Sequence, residues 1–342
     1  MGMGRQQPSF CFTTSLLSMF GLPSDFIHTI ENTYGEAGKQ LIANLPGLIE
    51  EASQRWDLTD VQPVPNLSYN FVAFANRPLT APLHGSAPPA GTSQNEVVLK
   101  IGVPQRELTS EMAALRLFDG EGACRLIDYD EQKGFLLLER LQPGEMLSTV
   151  EDDEEATHIA AELMSKIWHP LETQELAPAL QKFIKLSDWF DGLKRLRVMF
   201  NGGTGPLNSK LVERVEESVK GFFAENHRPV LMHGDFHHFN ILSSERGWLV
   251  IDPKGVIGPA GYEVGPLLMN PWGDLLNGNN YRLITERRID ILHERLGFER
   301  ERIRAWGLAH AILSAWWGIE DNTGWEYAMS FAELVADLPL VS

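Results

Sequence analysis

Three oxygen-bearing side chains fall within a short stretch of this chain, at intervals that define a chemistry. In the run His233-Gly-Asp-Phe-His-His-Phe-Asn240, Asp235 stands five positions before Asn240, and Asp252 follows after one hairpin. A carboxylate at Asp235 can take the proton of a substrate hydroxyl as that hydroxyl attacks a γ-phosphate. The amide oxygen of Asn240 and the carboxylate of Asp252 are hard ligands suited to Mg²⁺, which would bridge nucleotide phosphates. The D-x-x-x-x-N interval is that of a phosphotransferase catalytic loop. Asp and Asn also favour plain turns, but a plain turn does not require the whole set. Of the adjacent histidines His237 and His238, one is expected to brace the loop and the other, with His238 named, to reach substrate. No metal-ligand spacing surrounds them.

Short apolar runs must position these groups. Val230–Met232, 241–242 and 248–251 are too short for helices and read as buried strands. They leave His233, Asp235, Asn240 and Asp252 on strand ends and loops, where polar chemistry is usually carried.

On these residues the chain resembles the kinase-like aminoglycoside phosphotransferase family. His233, Asp235 and Asn240 match its H-x-D-x-x-x-x-N pattern, and Asp252 matches its metal-binding Asp. The runs Ile251-Asp-Pro-Lys254 and Pro266-Leu-Leu-Met-Asn270 are most similar to the streptomycin and hydroxyurea phosphotransferase branch. The resemblance implies ATP and Mg²⁺ as cofactors and an α+β, two-lobed protein-kinase-like fold. A small sheet-containing lobe with N-terminal helices would occupy 1–141, and a mainly helical lobe 142–342.

Each element then has an expected part. Residues 24–44 and 46–56 show helical spacing, with Pro46 suited to the first turn of the second helix. Between strand-like runs in 61–75, Pro65-Asn-Leu-Ser-Tyr-Asn70 stands where the resembled fold has its nucleotide-phosphate loop. It lacks G-x-G-x-x-G, so it reads either as a hairpin turn or as backbone N–H groups with Ser68 cradling phosphate. The Pro-, Gly- and Ala-rich 77–95 reads as a surface loop.

Lys100 sits inside the strand-like 96–101, either snorkelling from an edge or binding the α/β-phosphates and pairing with a helix carboxylate. The helix at 108–118 supplies Glu111, favoured by resemblance over Glu107. Strands are expected at 125–130 and 134–141, ending at Gln142-Pro-Gly144. Resemblance makes that end the adenine-docking hinge, where Glu139 supplies a carbonyl and Leu141 an N–H.

Beyond it, helices are expected through Trp168 from the acidic run at 151–155, and at 187–200, 208–226, 282–297, 299–319 and 325–338. Gly202-Gly-Thr-Gly205 lacks the Gly-Lys-Ser/Thr ending of a P-loop and reads as a linker. Ile303, Trp306, Ala309, Leu313 and Trp316 follow core spacing. Glu320 and Asp321 near that helix's end oppose its dipole. With Glu263 and Asp274 they are the carboxylates nominated to receive a cationic substrate.

Composition bounds the answer. The 342 residues, 43% apolar and 22% charged, suit a soluble globular protein of two lobes. Against 29 Lys and Arg stand 46 Asp and Glu, a net charge of −17, which argues against nucleic acid and is compatible with cationic small molecules. Cys11 and Cys124 form no pairing motif, as expected in a reducing cytoplasm. The stretch 10–22 lacks the apolar centre of a signal peptide, and no run is long enough to span a bilayer.

The expected activity is ATP-dependent phosphoryl transfer to a hydroxyl of a small molecule. By resemblance that molecule is a cationic aminoglycoside such as streptomycin, or neutral hydroxyurea, inactivated as a drug. A kinase for a cellular amino alcohol or sugar, and a nucleotide-binding regulator without turnover, stay open beside it. The complete set of Lys100, Asp235, Asn240 and Asp252 weighs against the regulator.

Overall fold

The computed structural model describes residues 21–78, 95–171, 181–224, 228–271 and 280–339. The chain divides into two compact units, one within Met1–Leu108 and Leu126–Arg140, the other within Thr109–Arg125 and Leu141–Ser342.

Strand alternation builds the first unit. Helix α1 (Ser24–Trp56) leads into β1 (Thr59–Pro63), β2 (Phe71–Arg77) and β3 (Asn95–Ile101). Helix α2 (Arg106–Phe118) is followed by β4 (Leu126–Asp130) and β5 (Phe135–Glu139). The five strands form an antiparallel sheet in the order β1-β2-β3-β5-β4. Successive side chains alternate between faces. Phe71, Ala73, Val97, Leu99 and Phe135 therefore share one face, buried with Phe26, Leu45, Ile49 and Trp56 of α1. Lys100, paired with Val72 and Leu136, points to the other face. The Trp56 indole N–H closes the packing by donating to Asp128 Oδ2 at 2.8 Å.

The break in α1 is not where the proline placed it. Helix runs on through the buried Pro46, and the chain leaves helical geometry at Gly35, with φ 57° and ψ −127°. Proline removes one intrahelical donor but keeps a helical φ, whereas this φ/ψ pair is open to a residue without Cβ.

In the second unit, β6 (Pro143–Met146), α3 (Asp153–Ile167), β7 (His169–Pro170) and β8 (Ile184–Lys185) come first. Two short helices, α4 (Leu186–Phe190) and α5 (Gly192–Met199), replace the single helix expected at 187–200 and meet at Asp191. Next comes α6 (Ser209–Ala224), and then strands β9 (Val230–Met232), β10 (Ile241–Ser244), β11 (Gly247–Val250) and β12 (Val256–Gly258). Helices α7 (Val264–Met269), α8 (Tyr281–Leu296), α9 (Arg300–Glu320) and α10 (Glu326–Ala336) complete the unit.

Two small sheets, β11-β10-β6 and β7-β9-β12-β8, hold the chemistry. The chain crosses between them twice: residues 233–240 run from β9 to β10, and 251–255 return from β11 to β12. Hairpin pairing from Ile241–Val250 to Ser244–Gly247 and the pairing of Met232 with Val256 fix both crossings. Asp235, Asn240 and Asp252 lie on these connections.

The helical core is rich in buried aromatic side chains. Ile303, Trp306, Ala309, Leu313 and Trp316 of α9 are all buried, as their spacing predicted. The acidic start of α3 has two jobs: Asp152 caps the helix by accepting from Glu154 N at 2.9 Å, and Asp153 pairs with Arg288. Arg288 is only 1% exposed, and its Nη1 also donates to the carbonyl of Asn270. Carboxylate and carbonyl together replace the water a buried guanidinium loses. Among the described residues, no helix is long and apolar enough to cross a membrane.

Candidate active site

The loop leaving β9 is built on a tightly held glycine. Gly234 has φ +89°, and a Cβ there would stand 2.3 Å from Val256 Cγ2, so no other residue fits without displacement. Beneath it the buried Glu263 accepts from His233 N at 3.0 Å and Gly234 N at 2.7 Å. The His233 ring works in both directions. Its Nδ1 accepts from Asp235 N at 3.1 Å, so Nε2 carries the proton and donates to the Ile251 carbonyl at 2.8 Å. That is a neutral imidazole, and burial lowers its pKa to about 4. The Lys254 N–H donates to the His233 carbonyl at 2.7 Å, and Ile251 N to that of Asn240 at 2.9 Å. The two crossings are thereby laced into one frame.

On this frame the Asn240 amide nitrogen donates to the Asp235 carbonyl at 2.9 Å and approaches Asp235 Oδ2 at 3.5 Å. Its amide oxygen is left outside those bonds. Asp252, next to the tethered Ile251, takes the left-handed φ of 56°, uncommon for a residue with a side chain and concentrated at functional positions. Burial acts to raise the pKa of the Asp235 carboxyl. The hydrogen bond from His237 and the positive charge of Lys254 act against it, and the group is held below the usual carboxylate range. Asp235 is ionised at neutral pH, as a proton acceptor must be.

The remaining candidates are distributed as follows. Glu111 on α2 is buried, and its neighbour Ser110 donates to the Gly255 carbonyl at 2.7 Å, tying α2 to the Asp252 crossing. Leu141 is also buried in the second unit. The first unit holds Lys100, buried on β3, Glu139 at the end of β5, and Ser68, exposed on the turn before β2.

Of the residues nominated for substrate, two carboxylates are bonded within the protein and one histidine is buried. Glu263 is fully buried with both oxygens bonded to the loop, which makes it a brace and not a substrate contact. Glu320 is bidentate with Arg195, at 2.7 and 2.9 Å, so an internal guanidinium already takes the cationic place. His238 is 2% exposed with both ring nitrogens enclosed and unbonded, and burial, with the charge of Arg288, lowers its pKa. Of the two adjacent histidines it is the one facing the interior. Asp321 is exposed at the end of α9, and Asp274 lies outside the described residues.

The sequence profile of the aminoglycoside/hydroxyurea antibiotic resistance kinases matches residues 90–322, two thirds of the chain, including Asp235, Asn240 and Asp252. The chain belongs to that family. A streptomycin 6-kinase of Streptomyces glaucescens is 29% identical over 304 residues, covering 88% of this chain and 92% of its own. A hydroxyurea phosphotransferase of Kitasatospora aureofaciens is 29% identical over 315 residues, covering 88% and 81%.

Among solved structures, a choline kinase of Streptococcus pneumoniae superposes with a TM-score of 0.57 at 12% identity, covering 86% of this chain and 98% of that one. An aminoglycoside phosphotransferase crystallised with ADP and hygromycin B gives 0.55 at 12% identity, covering 86% and 99%. At such identity these two speak for the fold alone. It is the protein-kinase-like fold, with a sheet-bearing N-terminal region and a helical C-terminal region.

In this kinase the brace has a pH signature. Burial pushes the Glu263 carboxyl from 4.5 up to about 8. A value raised by folding contributes stability below the unfolded pKa and loses it as pH rises through the folded one. His233 and His310, both lowered by burial from 6.5 to about 4, do the opposite: their contribution is present above 6.5 and lost as pH falls towards 4. Between pH 6.5 and 8 Glu263 is therefore the group of the three that titrates with a stability effect. Stability to urea should fall across that window, by at most ~1.4 kcal/mol per pH unit, and Glu263→Gln should flatten the decline. Urea midpoints at the two ends of the window test this; an equal slope in parent and variant contradicts it.

Proposed function

We propose that this chain transfers the γ-phosphoryl group of ATP to a hydroxyl of an antibiotic, with streptomycin the first acceptor to test and hydroxyurea the second. One observation carries the reading. Asp235 is held ionised by its surroundings on a loop that also bears Asn240, and the Ile251–Asn240 hydrogen bond ties that loop to Asp252. Asp235 accepts the proton of the attacking hydroxyl, and the Gly234 turn with its Glu263 brace keeps it in place.

The donor set suits Mg²⁺. Asn240 and Asp252 offer one amide oxygen and one carboxylate, and Mg²⁺ characteristically takes one or two protein oxygens, completing its shell with phosphates and water. Among the described residues, no group of three or more His, Cys, Asp or Glu could hold a metal by itself. Asn240 and Asp252 would hold the ion, which would offset the charge of the nucleotide phosphates. For the nucleotide we propose Lys100 at the α/β-phosphates, Ser68 in the phosphate turn, backbone groups of Glu139 and Leu141 at adenine, and Glu111 as a supporting carboxylate.

Support for streptomycin over a metabolite comes from the 29% identity to the streptomycin 6-kinase, against 12% to the choline kinase. The test is purified protein with ATP, Mg²⁺ and each of streptomycin, hydroxyurea and choline, the products weighed by mass spectrometry. Streptomycin carrying one added phosphoryl group is the expected result. Phosphorylated hydroxyurea alone would move the acceptor within the family, and phosphorylated choline alone would overturn the antibiotic reading.

A further inference from the structure

The proposed reaction leaves His237 of the loop without a part. His237 stands two residues after Asp235, its side chain 17% exposed against 39% for Asp235. Its Nδ1 accepts from Phe239 N at 3.3 Å. Its Nε2 lies 3.5 Å from Asp235 Oδ1 and 3.3 Å from Asn240 Nδ2. The Phe239 ring meets the imidazole edge-on, centroids 5.8 Å apart, and restricts its rotation.

These neighbours select one tautomer. With the proton on Nδ1, the ring would set N–H against the Phe239 N–H and a lone pair against the Asp235 carboxylate. With the proton on Nε2, Nδ1 accepts from Phe239 and Nε2–H faces Asp235 Oδ1. The one donor–donor approach is then to Asn240 Nδ2, whose hydrogens are already directed at the Asp235 carbonyl and Oδ2.

We propose that His237 is the positioning residue of the base: a neutral ring, anchored through Nδ1 by the Phe239 N–H, that donates from Nε2 to Asp235 Oδ1. With Asn240 Nδ2 at Oδ2, this fixes the plane of a carboxylate whose terminal torsion is otherwise broad. A proton acceptor held at the reacting angle acts at once, whereas a freely turning one is misaimed most of the time. The inference rests on Asp235 being the base.

Two substitutions separate the anchoring and donating roles. In His237→Asn the amide oxygen can still accept from Phe239 N–H, but the side chain is too short to reach Asp235. In His237→Gln the amide nitrogen extends to where Nε2 stands. With streptomycin and ATP, H237N should keep the parent's melting midpoint and both KM values within about 3-fold while kcat falls ~10- to 100-fold, and H237Q should recover most of kcat.

Parent-like kcat in H237N overturns the inference. If Asp235→Asn is inactive in the same assay, the base reading survives that result; an active Asp235→Asn removes the base reading and the inference together. A substrate-free readout stands beside the kinetics: ¹⁵N spectra of the histidine rings should show His237 as the Nε2–H tautomer, its Nε2 resonance shifting in Asp235→Asn. An Nδ1–H tautomer overturns the inference whichever acceptor the protein takes.

Discussion

Asp235→Asn should fold, bind ATP as the parent does, and transfer phosphate ~10²–10⁴-fold more slowly, the range general-base catalysis typically supplies. The substitution is unusually clean because the loop is not built on the carboxylate. The Asp235 N–H goes to His233 Nδ1 at 3.1 Å and its carbonyl takes Asn240 Nδ2 at 2.9 Å, and both bonds are made by backbone atoms of residue 235. Glu263 holds the two residues before it through their own N–H groups. An amide of the same shape therefore removes the proton acceptor and leaves the backbone bonds of the loop in place, with its nitrogen set against one of the two donors, His237 Nε2 or Asn240 Nδ2, that face the carboxylate. Single-turnover phosphorylation, with ATP binding by calorimetry and a melting midpoint on the same sample, tests the expectation. Turnover within a few-fold of the parent would show that another group takes the proton.

The residues proposed to react stood out in sequence because that chemistry demands particular atoms at a particular interval. Asp235, Asn240 and Asp252 announced a loop and a hairpin, and the strand β3 with Lys100 was legible as a short strand-like run. What supports them was not readable to the same degree. Glu263 is thirty residues from His233, and nothing local distinguishes a carboxylate that braces a loop from one that meets a cation. Glu320 looked available because its helix position is unfavourable, yet the partner that compensates it, Arg195, lies 125 residues away.

His237 and His238 are alike in one dimension. Their difference, one at the base and one buried beneath, is set by a short 3₁₀ turn at His238–Asn240. The strands β6 and β12 are four and three residues long and were missed because so short a run carries no period. In α1, proline is the louder signal in sequence, but the backbone angles at Gly35 decide where the helix breaks.

Asp252 should show the second large effect, and its backbone dictates how to measure it. Its φ of 56° is imposed by neighbours: Ile251 is bonded through N to Asn240 and through O to His233, and Lys254 N to the His233 carbonyl. Asn tolerates that conformation, whereas Ala carries a strain of roughly 1–2 kcal/mol. Asp252→Asn therefore removes the charge with the turn intact, and Asp252→Ala removes charge and turn preference together. If Asp252 holds Mg²⁺ against the nucleotide, Asp252→Asn should lower kcat/KM by ~10²–10³-fold, since a metal clamp supplies several kcal/mol and each ~1.4 kcal/mol is tenfold. ATP affinity should fall far more with Mg²⁺ present than with a chelator. Asp252→Ala should repeat the metal-dependent loss and add a lower melting midpoint, because its strain belongs to the fold and not to the ligand. Calorimetric titration of ATP with and without Mg²⁺ on the parent and both variants separates these contributions. Equal losses in the two titrations would remove Asp252 from the metal site while leaving Asp235 as the base.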